Sequence, residues 1–118
     1  MNSEPLARQV IAKLKRRIDK HGWKMARYIV GVTADPVGRK YTYLKGTKGE
    51  PFTQFEVLVE GMTREIALAV EERVFTMIQQ SDQRCRLWKL ANTKIQRGRY
   101  HRNLGRAMHD SHVLYVAY

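Results

Sequence analysis

The chain has 118 residues, 43% of them hydrophobic, and carries 22 Lys and Arg against 11 Asp and Glu, which gives a formal net charge of +11. This length predicts one domain over residues 1–118, and no apolar run approaches the roughly twenty residues that span a bilayer, so we expect no membrane partner. The only cysteine, Cys85, cannot form an internal disulfide, and no signal-peptide pattern opens the sequence. These features predict a cytoplasmic protein, and the small, basic chain suits a bacterial or phage-encoded setting.

The positive charge is concentrated at the two ends of the chain. Residues 1–27 hold eight basic and two acidic residues, residues 28–83 hold six and eight, and residues 84–118 hold eight and one. Clustered Lys and Arg release condensed counterions from a phosphate backbone, so this distribution favours a nucleic-acid partner, with DNA favoured over RNA. An acidic protein surface or an anionic nucleotide is the alternative.

The predicted elements begin with a helix over residues 3–21. Ser3 stands in the N-cap position, apolar residues recur at helical spacing from Leu6 to Ile18, and Gly22 follows the last turn. The side of this helix away from the apolar stripe is basic. It supplies the first candidate nucleic-acid-binding residues, which are Arg16, Arg17 and Lys20.

The middle of the chain alternates between strand and helix patterns. Residues 23–33 are rich in β-branched and aromatic side chains and predict a strand that ends at Asp35-Pro36. Residues 38–44 are compatible with a short helix or with a second strand. Residues 52–59 alternate as a strand does, and we expect Gly61 to close that strand.

The remaining sequence predicts two helices and a last strand. Thr63 caps a helix that extends to about residue 80, and a less regular helical pattern covers residues 84–94. After a loop, residues 112–118 have the composition of a strand, whose free edge is expected to allow pairing with a second copy of the chain. The sequence therefore predicts an α/β domain with a small antiparallel or mixed β-sheet flanked by helices.

Two neighbouring acids of the Thr63 helix occupy different faces. At 100° per residue, Glu71 lies at the edge of the apolar arc, whereas Glu72 lies on the solvent side. A carboxylate at an apolar edge needs a partner, because burying an unpaired charge is unfavourable. Two partners are open: an arginine in a structural ion pair, or a divalent metal ion.

The segment over residues 84–112 carries the strongest binding pattern. Between Arg84 and Arg106 lie eight basic residues and no acid, interleaved with aromatic and amide side chains. Arginine forks bind phosphate bidentately, and aromatic rings stack on unpaired bases. The alternative is a solvated loop whose apolar residues simply pack. The candidate binding residues here are Lys89, Arg97, Arg99, Tyr100, Arg102 and Arg106.

The run IVGVTADPVGR at residues 29–39, followed by FEVLVEG and TREIALAVEERVF, resembles the core of a GIY-YIG nuclease domain. Members of that family have a strand ending in Tyr-Ile/Val-Gly, a Thr-x-Asp-Pro turn, an arginine soon afterwards and a later helix with a metal-binding glutamate. Arg39 matches the arginine and Glu71 the glutamate. Tyr43 matches a tyrosine or histidine that some members carry after the arginine, and the similarity extends over residues 28–80.

This resemblance implies hydrolysis of a phosphodiester bond in a nucleic-acid strand. Glu71 would hold one Mg²⁺ or Mn²⁺, Arg39 would neutralise charge on the phosphate, and Tyr43 would activate or orient water. The implied function is a metal-dependent endonuclease. The alternative is a non-catalytic domain derived from this family that binds nucleic acid, a nucleotide or a protein that handles nucleic acid.

The tyrosines depart from the family pattern. The family's first strand, Gly-Ile-Tyr, belongs upstream of the Tyr-Ile/Val-Gly strand, where this chain has its basic helix. Ile29 replaces the second tyrosine, and the neighbouring Tyr28 is a catalytic candidate that faces the opposite side of the strand. The C-terminal strand is a candidate replacement for the missing strand, which would bring Tyr115 or Tyr118 to the site.

Overall fold

The computed structural model describes residues 3–45, 52–81 and 112–118. Three strands form one antiparallel sheet, in which the last strand of the chain lies between the other two. The predicted α/β fold, a small sheet with flanking helices, is confirmed, and its sheet is antiparallel rather than mixed. The elements in chain order are α1 (Glu4–His21), a 3₁₀ helix (Gly22–Met25), β1 (Ile29–Thr33), α2 (Pro36–Leu44), β2 (Phe55–Met62), α3 (Arg64–Ser81) and β3 (His112–Ala117).

The sheet separates two clusters of buried side chains. Successive residues of a strand face opposite sides of the sheet, so Leu114 and Val116 belong to one cluster and Tyr115 and Ala117 to the other. The larger cluster packs α1 and α3 against one face of the sheet. The smaller cluster joins α2 to the opposite face through Tyr43.

Ion pairs connect α1 to α3 near its start and to β2 near its end. Near its start, Glu4 Oε1 accepts a hydrogen bond from Arg73 Nε of α3 at 2.7 Å. That hydrogen bond lowers the pKa of Glu4, and the pKa of Arg73 is raised in turn. Near its end, Arg17 Nε donates to Glu56 Oε2 of β2, also at 2.7 Å. The basic side of α1 therefore contributes to packing as well as to surface charge.

Three element boundaries differ from the sequence prediction. Residues 22–25 form a 3₁₀ helix, closed by a 3.0 Å hydrogen bond from the Ala26 N–H to the Trp23 carbonyl, so β1 begins only at Ile29. The ambiguous segment 38–44 is helical, and its helix already begins at Pro36. β2 continues past Gly61 to Met62, and its pairing with β3 is irregular between Val59 and Met62, where Gly61 adopts φ 72°, a conformation that glycine reaches without steric cost.

The position of β3 overturns the expected dimer contact. β3 lies between β1 and β2 and pairs with both, so neither of its edges is free. The predicted pairing of a second copy on residues 112–118 is therefore wrong, and the outer strands of the described sheet are β1 and β2. In the described ranges, no helix is both long and apolar enough to cross a membrane.

Candidate active site

The smaller cluster is centred on a tyrosine of the central strand. Tyr115 pairs with Gly31 of β1 on one side and with Val57 of β2 on the other. Its side chain is fully buried, its ring stacks on Phe55 with 4.7 Å between centroids, and its centroid is 5.9 Å from that of Tyr43. The C-terminal strand thus inserts a phenol into the middle of the sheet, on the side that faces α2.

α2 starts abruptly after β1 and carries two of the predicted site residues. Its N-cap is Asp35, whose Oδ1 accepts a 3.0 Å hydrogen bond from the Gly38 N–H, and Pro36 occupies the first turn. A Cβ atom at position 38 would collide with the Asp35 carboxylate, so glycine is what allows the cap to close. Arg39 and Tyr43 follow one helical turn apart and therefore share a face of α2.

α3 supplies the carboxylate. Glu71 is buried, with 8% of its surface exposed, whereas Glu72 is exposed. The helical-wheel prediction about these two acids is confirmed. Both Arg39 and Glu71 take part in polar or electrostatic interactions within the fold.

The electrostatics of Tyr115 connect these residues. Burial raises the pKa of Tyr115 well above its ordinary value of 10.0, and the Tyr43 hydroxyl raises it further. The charge of Arg39 lowers this pKa, and that of Glu71 raises it. Charged and polar side chains of α2 and α3 therefore influence the buried phenol of β3. Tyr43 and Tyr115 pack together in the smaller cluster, and Arg39 lies one turn before Tyr43 on α2. Glu71 belongs to α3, which packs against the other face of the sheet.

The other two candidate tyrosines, Tyr28 and Tyr118, lie on the opposite face of the sheet. Tyr28 is buried in the larger cluster with α1 and α3, so the structure does not bring this predicted catalytic residue to Arg39. Tyr118 belongs to the same cluster. Its hydroxyl donates a hydrogen bond to Glu56 Oε1 and lies 3.1 Å from His21 Nε2. Of the two C-terminal tyrosines, only Tyr115 faces α2.

Tyr118 forms a second polar cluster that the sequence analysis missed. Burial raises the pKa of Glu56, but the hydrogen bonds from Tyr118 and Arg17 outweigh it, and the net pKa is lowered. Burial and the bonded Glu56 carboxylate raise the pKa of Tyr118 to about 12. These groups are distant in sequence and carry no motif, so only the fold reveals that they meet. Arg17, predicted to bind nucleic acid, is engaged in this cluster.

The remaining predicted binding residues fall into two groups. Arg16 and Lys20 are exposed on α1, as a nucleic-acid-binding role requires. The predicted helix over residues 84–94 and the basic residues of the C-terminal segment lie outside the described residues: Lys89, Arg97, Arg99, Tyr100, Arg102 and Arg106.

Comparisons with protein-family models, with curated proteins and with solved structures found no match to this chain. The motif residues and the geometry around Tyr115 are therefore the basis for a functional proposal.

Proposed function

We propose that this chain is a metal-dependent endonuclease of the GIY-YIG type that hydrolyses a phosphodiester bond in nucleic acid, with DNA favoured over RNA. The observation that carries the proposal is the position of β3. It pairs with β1 and brings Tyr115 onto the face where α2 carries Arg39 and Tyr43. A strand distant in sequence thereby supplies the tyrosine that the region before β1 lacks.

Arg39 and the two tyrosines would have complementary roles. A guanidinium group stays charged in proteins and offers a planar fork of donors, so Arg39 would bind the scissile phosphate and neutralise charge that develops on it. Because burial raises the pKa of Tyr115, this phenol keeps its proton near neutral pH. It would therefore orient water or phosphate through its hydroxyl, together with Tyr43, rather than act as a phenolate base.

We propose that Glu71 supplies the one protein ligand of a single magnesium or manganese ion. Within the ranges that the structure describes, no three His, Cys, Asp or Glu side chains form a group that could hold a metal by themselves. Mg²⁺ at phosphate sites commonly takes one or two carboxylates and fills its shell with water and phosphate oxygens. Glu71 would be that carboxylate. When bound, the ion would polarise the phosphoryl oxygen and stabilise the leaving group.

The alternative function is a non-catalytic binding module, and one observation favours it. Tyr115 is fully buried and Tyr43 nearly so, at 0% and 5% exposure. A substrate phosphate therefore reaches these hydroxyls only if the site opens. A module that binds nucleic acid through its basic surface would need no such opening.

Cleavage assays separate the two functions. Supercoiled plasmid, single-stranded DNA and RNA are incubated with the purified chain in Mg²⁺, in Mn²⁺ or in EDTA. The nuclease proposal predicts nicking or cutting of at least one substrate with either metal and none in EDTA. Salt-sensitive binding without cutting in any condition would leave the binding module as the function.

A further inference from the structure

A tryptophan in the 3₁₀ helix is unusually exposed. Trp23 has 81% of its surface in contact with solvent, the highest value among the exposed large hydrophobic residues of the described chain. Exposing an indole forgoes the largest apolar burial that any side chain can make. Neither of the two core clusters uses this ring.

The backbone beneath Trp23 is held in place. The Gly22 N–H donates to the Ile18 carbonyl at the end of α1, and Gly22 adopts φ 56° to turn the chain. Two residues after Trp23, Met25 is completely buried in the larger cluster. The indole is therefore presented to solvent from an anchored turn, which limits the conformational entropy that binding would cost.

The residues close to Trp23 in sequence carry mainly positive charge. Lys20, Lys24 and Arg27 are all exposed and lie within four residues of Trp23, while Asp19 is the one acid in the stretch 19–27. Exposed Val37 and Tyr41 belong to α2 and lie outside this stretch. A single aromatic ring among cations matches a nucleotide, in which one flat base is flanked by phosphates.

We infer that Trp23, Lys20, Lys24 and Arg27 form a binding surface for single-stranded nucleic acid. The indole stacks on an unpaired base, and the cations contact the adjoining phosphates. A duplex hides the faces of its bases inside the stack, so the ring distinguishes single strands from duplexes. The inference rests on the proposed function in taking nucleic acid as the partner, but it does not require cleavage.

Binding measurements in EDTA test this surface without interference from cutting. The probe is a fluorescein-labelled deoxythymidine oligonucleotide, compared with a duplex of the same length. We expect Trp23→Ala to weaken single-strand binding about tenfold, because losing the stacking of one base on an aromatic ring typically lowers affinity by about tenfold or more. Trp23→Phe should retain most of the affinity, and duplex binding should be unchanged. Tyr41→Ala, which removes an exposed aromatic ring from α2, serves as the matched control and should bind like the wild type.

Three results would overturn the inference. One is equal single-strand affinity for the wild type and Trp23→Ala at the same melting temperature. Another is an equal loss of affinity on single strand and duplex. The third is competition by a polyglutamate peptide as effective as that of the oligonucleotide, which would identify an acidic protein surface as the partner. The cleavage assays decide the nuclease proposal separately, since Trp23-dependent binding in a chain that cuts nothing would support the surface and reject the nuclease.

Discussion

Tyr115 of β3 lies directly opposite Gly31 of β1 in the antiparallel ladder. Residues opposed in this way have their Cβ atoms close together, and glycine has none. On the β1 side the Tyr115 ring therefore has no directly opposed side chain, and it packs against Phe55 and towards Tyr43. A glycine within a strand, which weakens strand packing elsewhere, here lies opposite the tyrosine whose pKa is affected by both Arg39 and Glu71.

Removing the Tyr115 hydroxyl should separate activity from stability. This buried hydroxyl has no hydrogen-bond partner of ordinary geometry among the described residues, although the Tyr43 hydroxyl is close enough to raise its pKa. Tyr115→Phe is therefore expected to change the free energy of unfolding by less than about 1 kcal/mol. The same change should slow metal-dependent cleavage by roughly a hundredfold. Urea denaturation and single-turnover cleavage measure the two effects, and full activity in Tyr115→Phe would remove Tyr115 from the site.

Tyr118→Phe is the matched control and should behave in the opposite way. Its hydroxyl donates to the Glu56 carboxylate, and a hydrogen bond to a charged group contributes about 1.5–3 kcal/mol. We expect a loss of stability in that range with cleavage unchanged, since Tyr118 lies on the opposite face of the sheet from Arg39. A large loss of cleavage in a folded Tyr118→Phe protein would contradict the assignment of faces.

The stabilisation from Tyr118 should also depend on pH. The folded chain raises the pKa of Tyr118 from 10.0 to about 12, through burial and through Glu56. A raised pKa favours the protonated phenol in the folded state, so its contribution is complete below pH 10 and declines as the pH rises towards 12. The difference in unfolding free energy between the wild type and Tyr118→Phe should therefore shrink over this window. If the difference in unfolding free energy stayed constant up to pH 12, the pKa of Tyr118 would not differ between the folded and the unfolded chain, which would contradict the prediction.

Arg39 and Lys40 offer a comparison of two adjacent cations on α2. Arg39 is half-buried on the face of Tyr43, whereas Lys40 is exposed to solvent. Arg39→Ala should lower cleavage by roughly a hundredfold or more, the scale expected when a group that stabilises the transition state is removed. Lys40→Ala removes the same unit of charge and should change cleavage only slightly. Equal effects of the two substitutions would mean that Arg39 contributes only to the general positive field.

The basic C-terminal segment should set the salt dependence of binding. A triple variant removes three positive charges from a stretch that has no acid; it combines Arg97→Ala, Arg99→Ala and Arg102→Ala. If each contacts a duplex phosphate, the slope of log K against log salt should fall by about three. Fluorescence anisotropy over a salt series measures the slope, and an unchanged slope would exclude these arginines from the interface.

Periodicity was sufficient for part of this fold. α1 and α3 each bury a continuous apolar stripe, and the same stripe indicated that Glu71 lies inward and Glu72 outward. Composition was misleading over residues 23–28, where two aromatic residues, Trp23 and Tyr28, precede the β-branched residues of β1 and extended the predicted strand too far upstream. Hydrogen bonds between near neighbours form the 3₁₀ helix there instead, and no local pattern of side chains signals them.

The candidate site was harder to predict because it depends on strand order. Alternation along β3 implies that Tyr115 and Tyr118 face opposite sides, since they are three residues apart. The tyrosine that points towards α2 is decided by where β3 enters the sheet. The central position of β3, between β1 and β2, is set by contacts between residues far apart in sequence, which local patterns do not indicate. The cluster of Arg17, Glu56 and Tyr118 was unpredictable for the same reason.

The most direct test of the account compares Glu71→Gln with Glu72→Gln in metal-dependent cleavage of DNA. The two residues are adjacent on α3, and each substitution removes one negative charge while preserving the size of the side chain. We predict that Glu71→Gln abolishes cutting in Mg²⁺ and Mn²⁺ while binding in EDTA is kept, and that Glu72→Gln cuts like the wild type. Cleavage by Glu71→Gln at the wild-type rate, in a folded protein, would contradict the assignment of the metal to Glu71 and with it the proposed active site.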